Sequence, residues 1–209
     1  MKNNTSEGKF ASLYDFFFNP VLHRVHDMVI MLAKKYDCQK IIDLGSGTGQ
    51  QARVLAAHGF SVTGVDSSSR MITVAKKKST SDIIFINNTI QSIDFDDDFD
   101  AANISMVLHP NSERIINEII KKASQLVKAD GLLFITDYGK GAGCVGRLAH
   151  GIIQIIESLT DENHRKNYFS FMMKQRFDSI SLYPQLTMIE RYPYFHGALQ
   201  TIVYRVSKK

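Results

Sequence analysis

The stretch Ile41–Gln50 reads IIDLGSGTGQ, and its residue types suit a ligand held against bare backbone. Two apolar residues and the acid Asp43 lead into Gly45, Ser46, Gly47 and Gly49, and Gln51–His58 (QARVLAAH) then read as a helix. A buried strand that breaks into a glycine turn and opens a helix makes a nucleotide site. The glycines let a ligand approach the backbone, and the free N–H groups at the helix start attract a negative group. The spacing is G-x-G-x-G. The dinucleotide fingerprint is G-x-G-x-x-G, so the third glycine here comes one residue early, with Gln50 and Gln51 behind it. A second acid, Asp66, ends the apolar stretch Phe60–Asp66 (FSVTGVD), about 20 residues after the first glycine, where an acid reads a ribose diol. Asp66 is also placed to cap a helix starting at Ser67, and the two roles are compatible. His109 closes Phe99–Pro110 (FDAANISMVLHP) and is the candidate general base; the plainer reading is a turn residue before Pro110.

Strands alternating with helices must position these groups. Apolar patterning predicts strands at 40–45, 61–66, 83–88, 100–107 and 131–137, with helices at 48–58, 68–79 and 112–128. That alternation argues for a parallel α/β sheet, whose ligands bind outside the carboxyl ends of the strands. Helix 112–128 is amphipathic, with Ile115, Ile116, Ile119, Ile120 and Ala123 on or near one face. Ahead of the first strand, Phe10–Tyr36 reads as mostly helical, divided at Pro20, after a disordered 1–9. Gly139, Gly141, Gly143 and Gly146 crowd a stretch that lacks the G-x-x-x-x-G-K-[ST] of a phosphate loop, and it reads as a flexible connector. Helices at 145–158 and 161–178 follow. Two strands, 186–194 and 199–206, are joined at His196-Gly197 and must be antiparallel.

Asp43, two residues ahead of Gly45, completes a pattern that resembles motif I of the class I S-adenosylmethionine (AdoMet)-dependent methyltransferases, roughly D-x-G-x-G-x-G. Asp66 followed by Ser67–Met71, Phe85–Phe95 (FINNTIQSIDF) and Phe99–Pro110 supply three further elements in the family's order. The resemblance implies a Rossmann-like seven-stranded methyltransferase sheet with helices on both faces, its last strand antiparallel, and an N-terminal helical cap. It implies one domain over 1–209: a cap at 10–36, an AdoMet-binding core at 37–138, a helical lid at 139–180 and a hairpin at 186–206. It also implies partners for each part of AdoMet. Gly45, Ser46, Gly47 and Gly49 would pack on the methionine portion, Asp43 would hold its ammonium, and Asp66 would accept the ribose hydroxyls. Ser67 opens the segment beside the adenine, and Met71 and Ile90 would sandwich that ring. Thr89 stands where the family usually has Asp. Ser105 and Leu108 would lie near the methionine and sulfonium. Tyr14, in YDFFFNP, resembles an N-terminal tyrosine that covers AdoMet in relatives; its plainer reading is packing with Phe16–Phe18.

Composition bounds the rest. The chain has 209 residues, 44% of them hydrophobic, enough for one domain with a substantial core. A formal charge of +4 is a mild excess, and the triplet Lys76–Lys78 reads as a solvated helix C-terminus rather than a nucleic-acid contact. Cys38 and Cys144 form no metal spacing. The opening MKNNTSEGKF is polar, unlike a signal peptide, and no apolar run approaches membrane-spanning length. The expected setting is cytoplasmic, as a monomer or homodimer. Segments 10–36 and 139–180 are rich in aromatic and apolar residues, which suits a small or lipid-like acceptor, as does a looser likeness to quinone-biosynthesis and phospholipid methyltransferases. Two alternatives stand beside this reading: a non-catalytic AdoMet-binding protein that works through a partner, and a nicotinamide oxidoreductase.

Overall fold

The computed structural model describes residues 23–80, 82–95, 99–174 and 176–208, without the side chain of Arg176. Tyr14, the aromatic run Phe16–Phe18, Pro20 and the 1–9 tail lie outside the described residues. After a helix whose described part is 23–35 (α1), the core elements are β1 (Lys40–Leu44), α2 (Gln50–Ala57), β2 (Ser61–Asp66), α3 (Ser69–Lys78), β3 (Ile84–Asn87), β4 (Phe99–Ser105), α4 (Glu113–Leu126) and β5 (Val127–Tyr138). Then come α5 (Gly143–Ser158), α6 (Glu162–Met173), the single turn α7 (Arg176–Ser179), β6 (Leu186–Tyr194) and β7 (Leu199–Val206).

The strands form one seven-stranded sheet in the order β3-β2-β1-β4-β5-β7-β6. β1 to β5 pair in parallel, and β7 runs antiparallel to both β5 and β6. The strand order reverses between β2 and β4, on either side of β1, which is the switch point where open α/β sheets bind ligands. Side chains alternate between two cores as the pleat requires. Ile41, Leu132 and Phe134 join α1, α2 and α3 on one face, while Ile42, Leu133 and Ile135 join α4 on the other. α6 reaches both cores, Tyr168 packing into the first and Phe171 into the second.

Several boundaries differ from the sequence reading. α4 ends at Leu126, two residues sooner than periodicity suggests, and β5 begins at once, four residues ahead of the strand read at 131–137. The strand β5 is irregular around Asp130-Gly131. Phe99 pairs with Val127 while Ala101 pairs with Leu132, and Asp130 takes φ 60° to absorb the surplus. β4 stops at Ser105 because Met106 adopts φ 59°, outside strand geometry. The helix expected at 161–178 is interrupted: α6 closes at Met173, with Lys174 as its C-cap, and α7 is separate.

Gly139, Gly141 and Gly146 are closely packed, whereas Gly143, at φ 65°, faces open space. A Cβ at Gly139 would lie 2.2 Å from Gln200 Nε2, and one at Gly141 would lie 2.2 Å from the Gly146 carbonyl oxygen. The Gly139 and Ala142 N–H groups donate to the carbonyls of Ala198 and His196. These residues let the start of α5 cross close to the β6–β7 turn, so the flexible connector read from composition is a tight backbone crossing.

Candidate active site

The turn after β1 is built by positive φ angles at Gly45 (78°), Gly47 (53°) and Gly49 (74°), a conformation that disfavours other residues. The N–H groups of Gly45 and Ser46 both donate to the Val65 carbonyl, which holds the turn over the end of β2. The three glycines have different reasons to lack a side chain. A Cβ at Gly45 would lie 2.4 Å from Val107 Cγ2, and one at Gly49 would lie 2.6 Å from Phe85 Cζ. At Gly47 a Cβ would meet no atom within 4 Å, so the space above it is open. Gly45 and Gly49 serve packing, and Gly47 faces a void.

Asp66 lies at the end of β2 and binds the turn directly. Its Oδ2 accepts from the Gly47 N–H at 2.8 Å and its Oδ1 from the Ser68 N–H at 2.8 Å. The cap of α3 is Ser68, whose hydroxyl accepts from the Met71 N–H, so Asp66 is not the N-cap of a helix at Ser67. Each Asp66 oxygen retains a lone pair for a further donor.

Asp43 is buried at the end of β1. Its Oδ1 accepts from Asn103 Nδ2 at 2.7 Å, and its Oδ2 is buried with no hydrogen-bond partner. Burial pushes its pKa up to about 6; the Asn103 bond opposes that shift, and the nearby Asp66 charge adds to it. The Ser46 hydroxyl is likewise buried and unpartnered. A buried carboxylate oxygen lacking a donor costs free energy unless a ligand or water satisfies it.

A cavity of about 370 Å³ opens at these strand ends, within the size range of small-molecule sites. Of the residues expected from sequence, Gly45, Asp66, Ser67, Thr89 and Ile90 line it. Met71 does not; it is 40% exposed on α3. The Ser105 hydroxyl donates to Asn103 Oδ1 at 3.4 Å and Leu108 is fully buried; neither lines the cavity. The Thr89 hydroxyl donates to Ser92 Oγ at 2.9 Å and keeps its acceptor lone pairs. Sequence reasoning missed Gln91, Met106, Val107, Asn111 and the Ile115 and Ile119 side chains of α4. The left-handed φ of Met106 aims it, and residue type gave no signal for that. Ile115 and Ile119 were legible only as an apolar helix face.

His109 does not line the cavity and is buried beside it. Asp137, at the end of β5, accepts His109 Nδ1 at 2.7 Å and also the backbone N–H groups of Leu108, His109 and Tyr138. His109 Nε2 lies 3.7 Å from Glu157 Oε1, the oxygen that accepts the Tyr138 hydroxyl at 2.9 Å. The His109 ring packs against Tyr138, His164 and Tyr168, at centroid distances of 4.6, 5.4 and 6.3 Å. Side chains of α5 and α6 therefore close over His109.

Comparisons with known proteins agree with this geometry. Residues 41–131 match the family model described as a methyltransferase domain. Among curated relatives, the ubiquinone biosynthesis O-methyltransferase of Pelagibacter ubique (strain HTCC1062) is 31% identical over 144 residues, 64% of this chain and 58% of that protein. The demethylmenaquinone methyltransferase of Thermotoga maritima is 28% identical over 111 residues, 52% of this chain and 48% of that protein. The chain thus spans about half the length of the curated relatives it matches. Among solved structures, the plantazolicin methyltransferase BpumL, determined with a triazolic desmethylPZN analogue and SAH (S-adenosylhomocysteine), superposes with a TM-score of 0.69 at 13% identity, covering 98% of this chain and 92% of that one. Residues 41–131 thus match a methyltransferase domain, and the seven-stranded order, the antiparallel β7 and the glycine turn give the chain the fold of the solved methyltransferases.

Proposed function

We propose that the protein binds AdoMet at the β1–β2–β4 strand ends and transfers its methyl group to a small, quinone-like or lipid-like acceptor. The observation that carries this reading is the buried, unpartnered Oδ2 of Asp43, beside Asp66 and two residues ahead of a turn whose central glycine faces open space. An ammonium group, directly or through water, satisfies that oxygen, and no dinucleotide part needs it. Gly47 would let the ligand lie on the turn, Asp66 would take two ribose hydroxyls on its remaining lone pairs, and Ile90 with Ser67 and Thr89 would wall the adenine. AdoMet supplies an already activated methyl group on a sulfonium, so the protein's work is to align the acceptor and exclude water.

On the acceptor side, His109 is the residue we assign to the acceptor's proton. Asp137 fixes its ring and accepts from Nδ1, leaving Nε2 as the working nitrogen. α5 and α6 would cover the acceptor. The names of the quinone-biosynthesis relatives support a small aromatic acceptor. Among the described residues no helix is long and apolar enough to cross a membrane. A cytoplasmic monomer or homodimer is the form in which we expect it to act. Mass-spectrometric detection of a 14-dalton gain on a demethylmenaquinone or polyprenyl-catechol acceptor, dependent on AdoMet, tests the proposal; absence of turnover with every quinone precursor and lipid amine supplied would overturn the acceptor class.

A further inference from the structure

His109, Glu157 and His164 bring three metal-ligating side chains from three segments to one point: the loop after β4, the end of α5 and the first turns of α6. We infer that they form a site for one divalent transition-metal ion of the zinc class. The candidate ligand atoms all lie within 4.8 Å of one another. His164 Nε2 is 2.8 Å from Glu157 Oε2, yet off the hydrogen-bonding direction, so that both atoms are buried with no hydrogen-bond partner. An ion held between the two groups would satisfy both atoms, at the price of a small separation of the two groups.

The surroundings match a metal centre in a second respect. A ligating histidine commonly donates its other ring N–H to a carboxylate, which sets the tautomer and the ring plane. His109 does so: Asp137 already accepts three backbone N–H groups, so at 2.7 Å it is the acceptor and Nδ1 the donor, leaving the Nε2 lone pair directed at Glu157. Glu157 is oriented in the same way, its Oε1 held by the Tyr138 hydroxyl while Oε2 is left for the ion. The turn carrying His164 is fixed by Asp161, whose carboxylate accepts the Asn163 and His164 N–H groups. Two imidazole nitrogens and one carboxylate suit zinc and its neighbours; magnesium and calcium prefer all-oxygen shells.

Three protein ligands leave a fourth position open, as catalytic rather than structural zinc sites do. The Tyr168 hydroxyl, buried without a partner and close enough to feel the Glu157 charge, is a further polar group at this point. An ion here would pin α5 and α6 to the sheet. It would also take the His109 lone pair, so that the acidity of an acceptor hydroxyl would be set by the ion's open position. That last consequence rests on the acceptor side proposed above; metal binding itself does not.

The test uses the full chain, stripped with chelator and titrated with zinc chloride by calorimetry, with magnesium chloride as control and S-adenosylhomocysteine titrated into the same samples. The expected result is one zinc per chain, no magnesium binding, a higher melting temperature with zinc, and at least tenfold weaker zinc binding in His164→Ala. His164 is the most exposed of the three, at 28%, so that variant is the one best able to fold. Cobalt(II) in the wild-type chain should give the visible bands of a low-coordinate centre, lost in His164→Ala and in Glu157→Gln. No zinc binding by the wild-type chain, or equal affinity in a folded His164→Ala, overturns the site and leaves an ion pair of Glu157 with His164. S-adenosylhomocysteine binding reads the cofactor cradle separately, so the failure of one reading is distinguishable from the failure of the other.

Discussion

Asn103 donates to Asp43 across the paired strands β1 and β4, at 2.7 Å, and leaves the second Asp43 oxygen buried and unanswered. Because the folded pKa is raised from 3.8 to about 6, the ligand-free fold holds this proton more tightly than the unfolded chain. Its stability contribution is therefore fully present below pH 3.8 and is lost as pH rises to about 6, a change on the order of 3 kcal/mol. An ammonium bound to the carboxylate reverses the preference. S-adenosylhomocysteine affinity should rise with pH and level off above about 6, falling about tenfold by one unit lower. Asp43→Asn should flatten this profile and raise the melting temperature of the free protein at pH 8. Calorimetry across the range checks both, and a pH-independent wild-type affinity would remove Asp43 from the ammonium.

Gly47 and Gly49 should separate binding from folding. Gly47→Ala puts a methyl group into open space at φ 53°, which costs about 1–2 kcal/mol of backbone strain and blocks the ligand. Gly49→Ala drives its methyl group to 2.6 Å from Phe85, so its main effect should be on the melting temperature. Circular dichroism melts with ligand titrations test the split; normal binding by folded Gly47→Ala would contradict the assignment of this glycine to the cradle.

His109→Ala should lower kcat while leaving S-adenosylhomocysteine affinity within about twofold, because His109 lies outside the cofactor cavity. The variant loses a buried bond to Asp137, so its melting temperature should also fall. Steady-state kinetics across pH decides the point. An unchanged kcat across the profile would leave His109 a packing residue.

Hydrogen exchange should find α5 and α6 gaining protection when S-adenosylhomocysteine and an acceptor analogue bind, with β5 protected throughout. The backbone crossing at 139–142 should already be slow in the free protein, since its amides donate to the β6–β7 turn. Any movement of the cover would then hinge beyond Gly143. Equal, saturated protection of α5, α6 and β5 without ligand would make the cover fixed structure.

Sequence made the sheet legible because each strand carries its own periodic apolar signal and each glycine turn its own chemistry. β6 and β7 fall on the residues read for them and pair antiparallel with each other, since a link at His196-Gly197 permits no other pairing. The Gly45–Gly49 turn and Asp66 were legible for the same local reason. Non-local features were not. The left-handed Met106 and the irregularity at Asp130 are imposed by pairing across the sheet, and no residue type announces them. Glu157 and His164 gave no signal because their role comes from α5 and α6 folding back over His109. Asp66 as helix cap was a local reading that the Ser68 cap overrode.

The most direct test of the central claim is calorimetric titration of S-adenosylhomocysteine into the wild-type chain and Asp66→Ala, with NAD as the competing ligand. The account predicts micromolar binding to the wild type, roughly −8 kcal/mol. It predicts a loss of about 2 kcal/mol in Asp66→Ala from charge-assisted bonds to two hydroxyls, and no heat with NAD. Undetectable S-adenosylhomocysteine binding by the folded wild type, or an unchanged affinity in folded Asp66→Ala, would contradict it.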